Sequence, residues 1–127
     1  MSLTSHRDEA ADRTIHVISG PVSEEEMYEA LEFDSGQMPT AHVLWDMSSA
    51  EVEHVTADIL RRFIGKAAEL GARRPGGRTA VVAPEDLQFG LARMSEVFTE
   101  LESAPYLFRA FRSRQEALAW LESDDMS

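Results

Sequence analysis

The stretch Ala41-His42-Val43-Leu44-Trp45-Asp46-Met47 decides the fold. Val43, Leu44 and Trp45 form an unbroken apolar run. A strand with one wet face alternates apolar and polar residues; an unbroken run marks a strand covered on both faces, as in a parallel sheet. Thr79–Ala83 has the same character and is the most buried-looking strand of the chain. Between the two runs, Val55, Ile59, Phe63, Ala67 and Leu70 recur at helical intervals, with Leu60 and Ile64 widening the stripe. Buried strand, amphipathic helix, buried strand is a β-α-β unit.

The alternation continues in both directions. Upstream, Thr14–Ser19 is a β-branched strand stopped by Gly20-Pro21, and Ser23-Glu24-Glu25-Glu26 is a capping box opening a helix to about Phe33. Asp34–Pro39 reads as the turn that ends it. Ser48 and Thr56 compete as the cap of the next helix, and Thr56 is favoured because a start at Ser48 makes the helix too long. Gly71 suits its end, and Pro75-Gly76-Gly77 is a turn. Downstream, Pro84-Glu85-Asp86 opens a third helix with Leu87, Leu91, Met94, Val97, Phe98 and Leu101 expected on its buried face. Tyr106–Phe111 is the last strand, placed at an edge because Arg109 interrupts it. Ser113-Arg114-Gln115-Glu116 is a second capping box for a final helix. The expectation is one α/β domain over residues 13–122, with a four-stranded, mostly parallel sheet and four helices in the order β-α-β-α-β-α-β-α. Residues 1–12 read as a flexible leader and 123–127 as a flexible tail.

Composition narrows the function. The chain has 127 residues and 43% hydrophobic side chains, one domain's worth with enough apolar mass for a core. Its 23 acids against 12 Lys and Arg give a net charge of −11, a poor match for a phosphate backbone, so nucleic acid is not expected. No apolar stretch approaches a membrane span, and the polar Met1–Asp12 is not signal-like. The absence of cysteine excludes disulfides and thiolate chemistry and fits a reducing, cytoplasmic setting. The charge is uneven. Residues 1–60 hold 13 acids and 2 bases, whereas 61–127 hold 10 of each, with a basic stretch from Arg61 to Arg78. Cations near a helix C-terminus explain that stretch by dipole complementarity; an anion-binding patch is the sharper alternative.

Ligand sites in parallel sheets favour the carboxyl ends of strands. Asp46, Ser48, Ser49 and His54 follow the second strand and invite a serine-hydrolase reading. No Gly-x-Ser-x-Gly elbow and no flanking glycine support it, so turn and cap roles are preferred and no catalytic residue is assigned. His6, His16, His42 and His54 contain no close pair of metal-ligand spacing, and no metal or cofactor is expected. Gly76-Gly77 follows a helix and precedes a strand, the reverse of a phosphate loop. Phe89 lies among charged residues, nearly opposite the apolar stripe of its helix, and Gly90 beside it costs about 1 kcal/mol against alanine. Either a neighbouring loop packs there or a ligand or partner does.

Gly77–Pro84, then Phe89-Gly90-Leu91-Ala92-Arg93-Met94, then Phe111-Arg112 with Glu116-Ala117-Leu118-Ala119-Trp120-Leu121, resemble the SpoIIAA-like proteins. These are small bacterial domains near the STAS superfamily (sulfate transporter and anti-sigma factor antagonist). The likeness covers roughly Ala41 to Glu122. It implies an α/β fold without established catalysis, acting by protein interaction or by binding nonpolar ligands. Asp46 matches the family's strand-end aspartate. The family's Asp-Ser-Ser-Gly phosphorylation segment is missing, and Thr56 is its approximate counterpart as phosphoacceptor. The expected surface is therefore Asp46, Ser48, Ser49, Thr56, Phe89, Gly90 and Arg93, for a protein partner first and a nonpolar small molecule second. Phe89 and Arg109 also raise a homodimer.

Overall fold

The computed structural model describes residues 2–35, 39–71 and 74–123. Its elements are β1 (Ser2–Asp8), β2 (Arg13–Pro21), α1 (Glu24–Ser35), β3 (His42–Glu51), α2 (Ala57–Leu70), β4 (Arg78–Val82), α3 (Asp86–Leu101), β5 (Leu107–Phe111) and α4 (Arg114–Glu122). The caps sit where their side chains dictate. Ser23 Oγ accepts from Glu26 N at 3.2 Å, Thr56 Oγ1 from Ile59 N at 3.2 Å and Ser113 Oγ from Glu116 N at 3.1 Å.

The strands form one sheet in the order β1-β2-β3-β4-β5. β2 through β5 are parallel, with Trp45 opposite His16 and Val81; β1 alone is antiparallel. Each parallel strand is added on the same side of the last. Crossovers of one hand then put their helices on one face. Accordingly α1, α2 and α3 cover a core of Ile18, Trp45, Phe63, Ile64 and Val81, while α4 packs on Leu44, Ala80 and Val82 from the other face. Both faces of β3 and β4 are therefore dry, which is why their apolar runs do not alternate.

Three expectations are corrected. The sheet has five strands, not four, because Ser2–Asp8 forms a strand that pairs with Arg13–Ser19. Only Leu3 of this strand packs on the core, so β1 carries little hydrophobic signal; a tight turn with Asp12 at φ 52° reverses the chain. β3 runs to Glu51, so Ser48 and Ser49 lie inside a strand rather than in a loop after it. Third, α3 is rotated. It turns Gln88, Ala92, Ser95 and Thr99 inward. Leu87, Met94, Val97 and Leu101 face outward at 51%, 37%, 53% and 70% exposure, and only Leu91 and Phe98 of the apolar stripe touch the core. Small side chains bring the helix close to the sheet. Its buried polar atoms are satisfied: Gln88 Nε2 donates to Ala50 O at 2.9 Å, and Ser95 and Thr99 donate back to Leu91 O and Ser95 O.

The basic stretch is largely structural. Arg74 stacks on Tyr106 and donates to Thr40 O and Ala41 O. Arg78 is buried and donates to Trp120 O and Ser123 O, closing the C-terminus of α4. Arg62 pairs with Glu24 of α1 at 3.0 Å. Gly77 is required by close approach: a Cβ there would lie 2.2 Å from Ala41 O. The turn at Asp34–Pro39 and the tail fall mainly outside the described residues.

Candidate functional site

Parallel pairing of Asp46 with Val82 brings the carboxyl ends of β3 and β4 to one rim, where the N-termini of α2, α3 and α4 also begin. Between Val17–Asp46 and Ser19–Ser49 the register of β2 and β3 slips by one residue, a bulge on β3. Asp46 closes it. Its Oδ1 accepts from Ser48 N at 3.0 Å and from Ser48 Oγ at 2.6 Å, and its Oδ2 accepts from Arg114 Nη1 at 2.8 Å. Burial opposes ionisation, yet the two Ser48 bonds and the Arg114 guanidinium hold the carboxyl below its usual range. Asp46 is buried, whereas Ser48, Ser49 and Thr56 are exposed on the rim.

Phe89 is half-buried, and its ring lies 4.4 Å under the Arg112 guanidinium. Arg112 is fixed by Pro84 O at 3.1 Å and Asp86 Oδ1 at 2.8 Å. The neighbour that packs on this aromatic is thus the turn after β5. Gly90 is exposed with open space around it, and Arg93 reaches Glu96 at 3.5 Å. The rim divides into an Asp46–Ser48–Arg114 group and a Phe89–Arg112–Asp86 group, with Thr56 separately capping α2. Arg112 and Arg114 were not singled out from the sequence. Both stand beside the Ser113 cap at a strand's carboxyl end, and Arg112 also falls within the segments that carry the resemblance.

The rim does not assemble a serine–histidine pair. Ser48 donates its hydroxyl to Asp46, and the His54 ring bonds Val22 O. No group of three His, Asp or Glu side chains among the described residues is placed to hold a metal. No helix among them is long and apolar enough to cross a membrane. Behind the rim, between sheet and helices, lies an apolar cavity of about 80 Å³ bordered by Trp45, Met47, Val52, Phe63, Leu91 and Phe108. That is small beside the 150 Å³ engineered void that admits benzene. The chain matches no family model and no curated protein sequence.

Proposed function

We propose that the chain is a non-enzymatic, STAS-like binding or regulatory domain of the SpoIIAA-like kind, working in the cytoplasm through a protein partner. The observation that carries this reading is the rim. An ionised Asp46 locks a strand bulge that presents Ser48 and Ser49, while Thr56 stands exposed at the neighbouring N-cap. Phe89, Gly90 and Arg93 extend the surface along the start of α3. Phosphate on Thr56 would sit at a helix N-terminus, where the backbone amides and dipole favour negative charge. Affinity capture from the native cell tests the reading, using the wild-type chain beside Ser49→Arg and Thr56→Glu. A stoichiometric protein held by wild type and lost from either variant is expected. Equal recovery on all three, or no partner on any, overturns it.

The apolar cavity favours a second reading, carriage of a nonpolar ligand, which requires α2 and α3 to part beyond the present volume. Organic extraction of the purified protein followed by mass spectrometry decides it. A stoichiometric apolar molecule supports carriage and an empty extract rejects it.

A further inference from the structure

The outward face of α3 is a seam. Leu87, Gly90, Met94, Val97 and Leu101 follow one another at intervals of three, four, three and four residues, the spacing with which one helix meets another in a coiled coil. Leu87, Val97 and Leu101 are more than half exposed, an unusual investment of large apolar side chains in solvent. Gly90 adds an independent sign. It lies inside the helix, needs no positive φ, and a Cβ there would meet nothing within 4 Å. The fold gives no reason for a residue that weakens the helix by about 1 kcal/mol against alanine. A glycine on an outward seam lets a second backbone approach closely.

Charge identifies the occupant. From Glu85 to Glu102 the chain carries five carboxylates and one guanidinium. Asp86 is paired with Arg112, and Glu96 with Arg93. Glu100 and Glu102 flank Leu101 on its two sides, and neither is in an ion pair among the described residues. A second copy fits badly. Antiparallel self-pairing that lays Leu87 on Leu101 sets Asp86 opposite Glu102, and each chain brings its own Glu100 and Glu102 to the contact. We propose that the outer face of α3 docks a cationic amphipathic helix of a protein partner, whose apolar stripe covers Leu87–Leu101 and whose Lys or Arg side chains meet Glu100 and Glu102. The proposal rests on the reading of the chain as a binding domain; its surface shares Gly90 with the one proposed above but lies away from Asp46, Ser48 and Ser49.

Fluorescence anisotropy tests it with the full chain and a labelled peptide of about 21 residues, Leu at the first and fourth heptad positions and Lys beside them. A twin peptide carries Glu in place of Lys. Saturable one-to-one binding of the Lys peptide is expected, weakened at least about tenfold by Val97→Glu. Val97→Glu makes the protein more negative. Plain charge attraction would tighten under this change, so tightening overturns the seam. Glu100→Lys with Glu102→Lys is expected to shift preference toward the Glu peptide. Glu100 and Glu102 are both exposed, the Glu102 carboxylate lying beside Gly65 of α2, and circular dichroism verifies that the variants fold. Equal binding of the two peptides by wild type, or no binding of either, overturns the proposal. So does a concentration-dependent dimer of the chain that Val97→Glu abolishes, which would make a second copy the occupant. Loss of the peptide on Ser49→Arg but not on Val97→Glu would move docking to the rim and also overturn it.

Discussion

Arg114 reaches across 68 positions of sequence to donate to Asp46 at 2.8 Å, tying the start of α4 to the end of the buried run in β3. Asp46 is the end of that run and cannot leave it, so its charge is stabilised in place rather than avoided. Two bonds come from its own bulge and one from the last helix.

This arrangement predicts an acid limb in stability. The folded carboxyl titrates below its ordinary value of 3.8, so the unfolded chain binds the proton more readily. The stabilisation is complete above the unfolded value and disappears as pH falls through the folded one. Asp46→Asn is expected to lower stability at pH 7 by about 2 kcal/mol, since it weakens charge-assisted bonds to a buried atom. Arg114 is half-exposed and accounts for the smaller share. Urea unfolding of both proteins at pH 7 and near pH 3 checks this, and the gap between them should shrink at the lower pH.

His42 predicts a second limb at higher pH. Burial first, and the Arg78 guanidinium next, hold its imidazole below the usual 6.5, and its buried Nδ1 has no hydrogen-bond partner among the described residues. The fold therefore favours the neutral ring over the charged one. Protonation favours unfolding, so stability should decline as pH drops below about 6.5 and keep declining to the folded value. His42→Gln should flatten this part of the profile, as followed by thermal unfolding between pH 7.5 and pH 5. An unchanged slope would show that another group titrates.

Two glycines should respond in opposite directions. Gly90→Ala places its methyl in open space and is expected to stabilise the fold by about 1 kcal/mol. Gly77→Ala drives a Cβ to 2.2 Å from the Ala41 carbonyl and is expected to destabilise by at least about 2 kcal/mol. Chemical denaturation of the pair measures both. Stabilisation by Gly90→Ala would strengthen the argument that this glycine answers to something outside the fold.

What could be read from sequence was whatever a local pattern carries. Ser23, Thr56 and Ser113 marked helix starts because a cap bonds residues only three positions away. Val43-Leu44-Trp45 marked a doubly covered strand because burial on both faces removes alternation. The rest depended on contacts between distant residues. A wheel shows which face of α3 is apolar, not which is buried. The sheet accepted Gln88, Ala92, Ser95 and Thr99 because they are small or internally bonded, leaving Leu87 and Leu101 outside. β1 was hidden because an edge strand with one core side chain looks like any polar segment. At the site, Asp46 and Phe89 stood out by type and position. Arg114 and Arg112, which hold them, did not, because nothing local records a partner so far along the chain.

The free edge of β5 gives the last prediction. In parallel pairing with β4 its alternate amides point outward, and an open edge of this kind recruits other strands. Glu96 of α3 covers one of them, accepting from Ala110 N at 3.0 Å. The carboxylate both satisfies the amide and places a negative charge where a second edge would approach. Glu96→Ala should therefore cost about 1 kcal/mol in stability and also increase self-association through β5. Sedimentation velocity over a range of concentrations separates the two effects, with Glu96→Gln as the companion variant. Glutamine can still accept from Ala110 but brings no charge, so it should restore stability while leaving part of the association. If Glu96→Ala stays monomeric at every concentration at which wild type does, the edge is guarded by something other than this carboxylate.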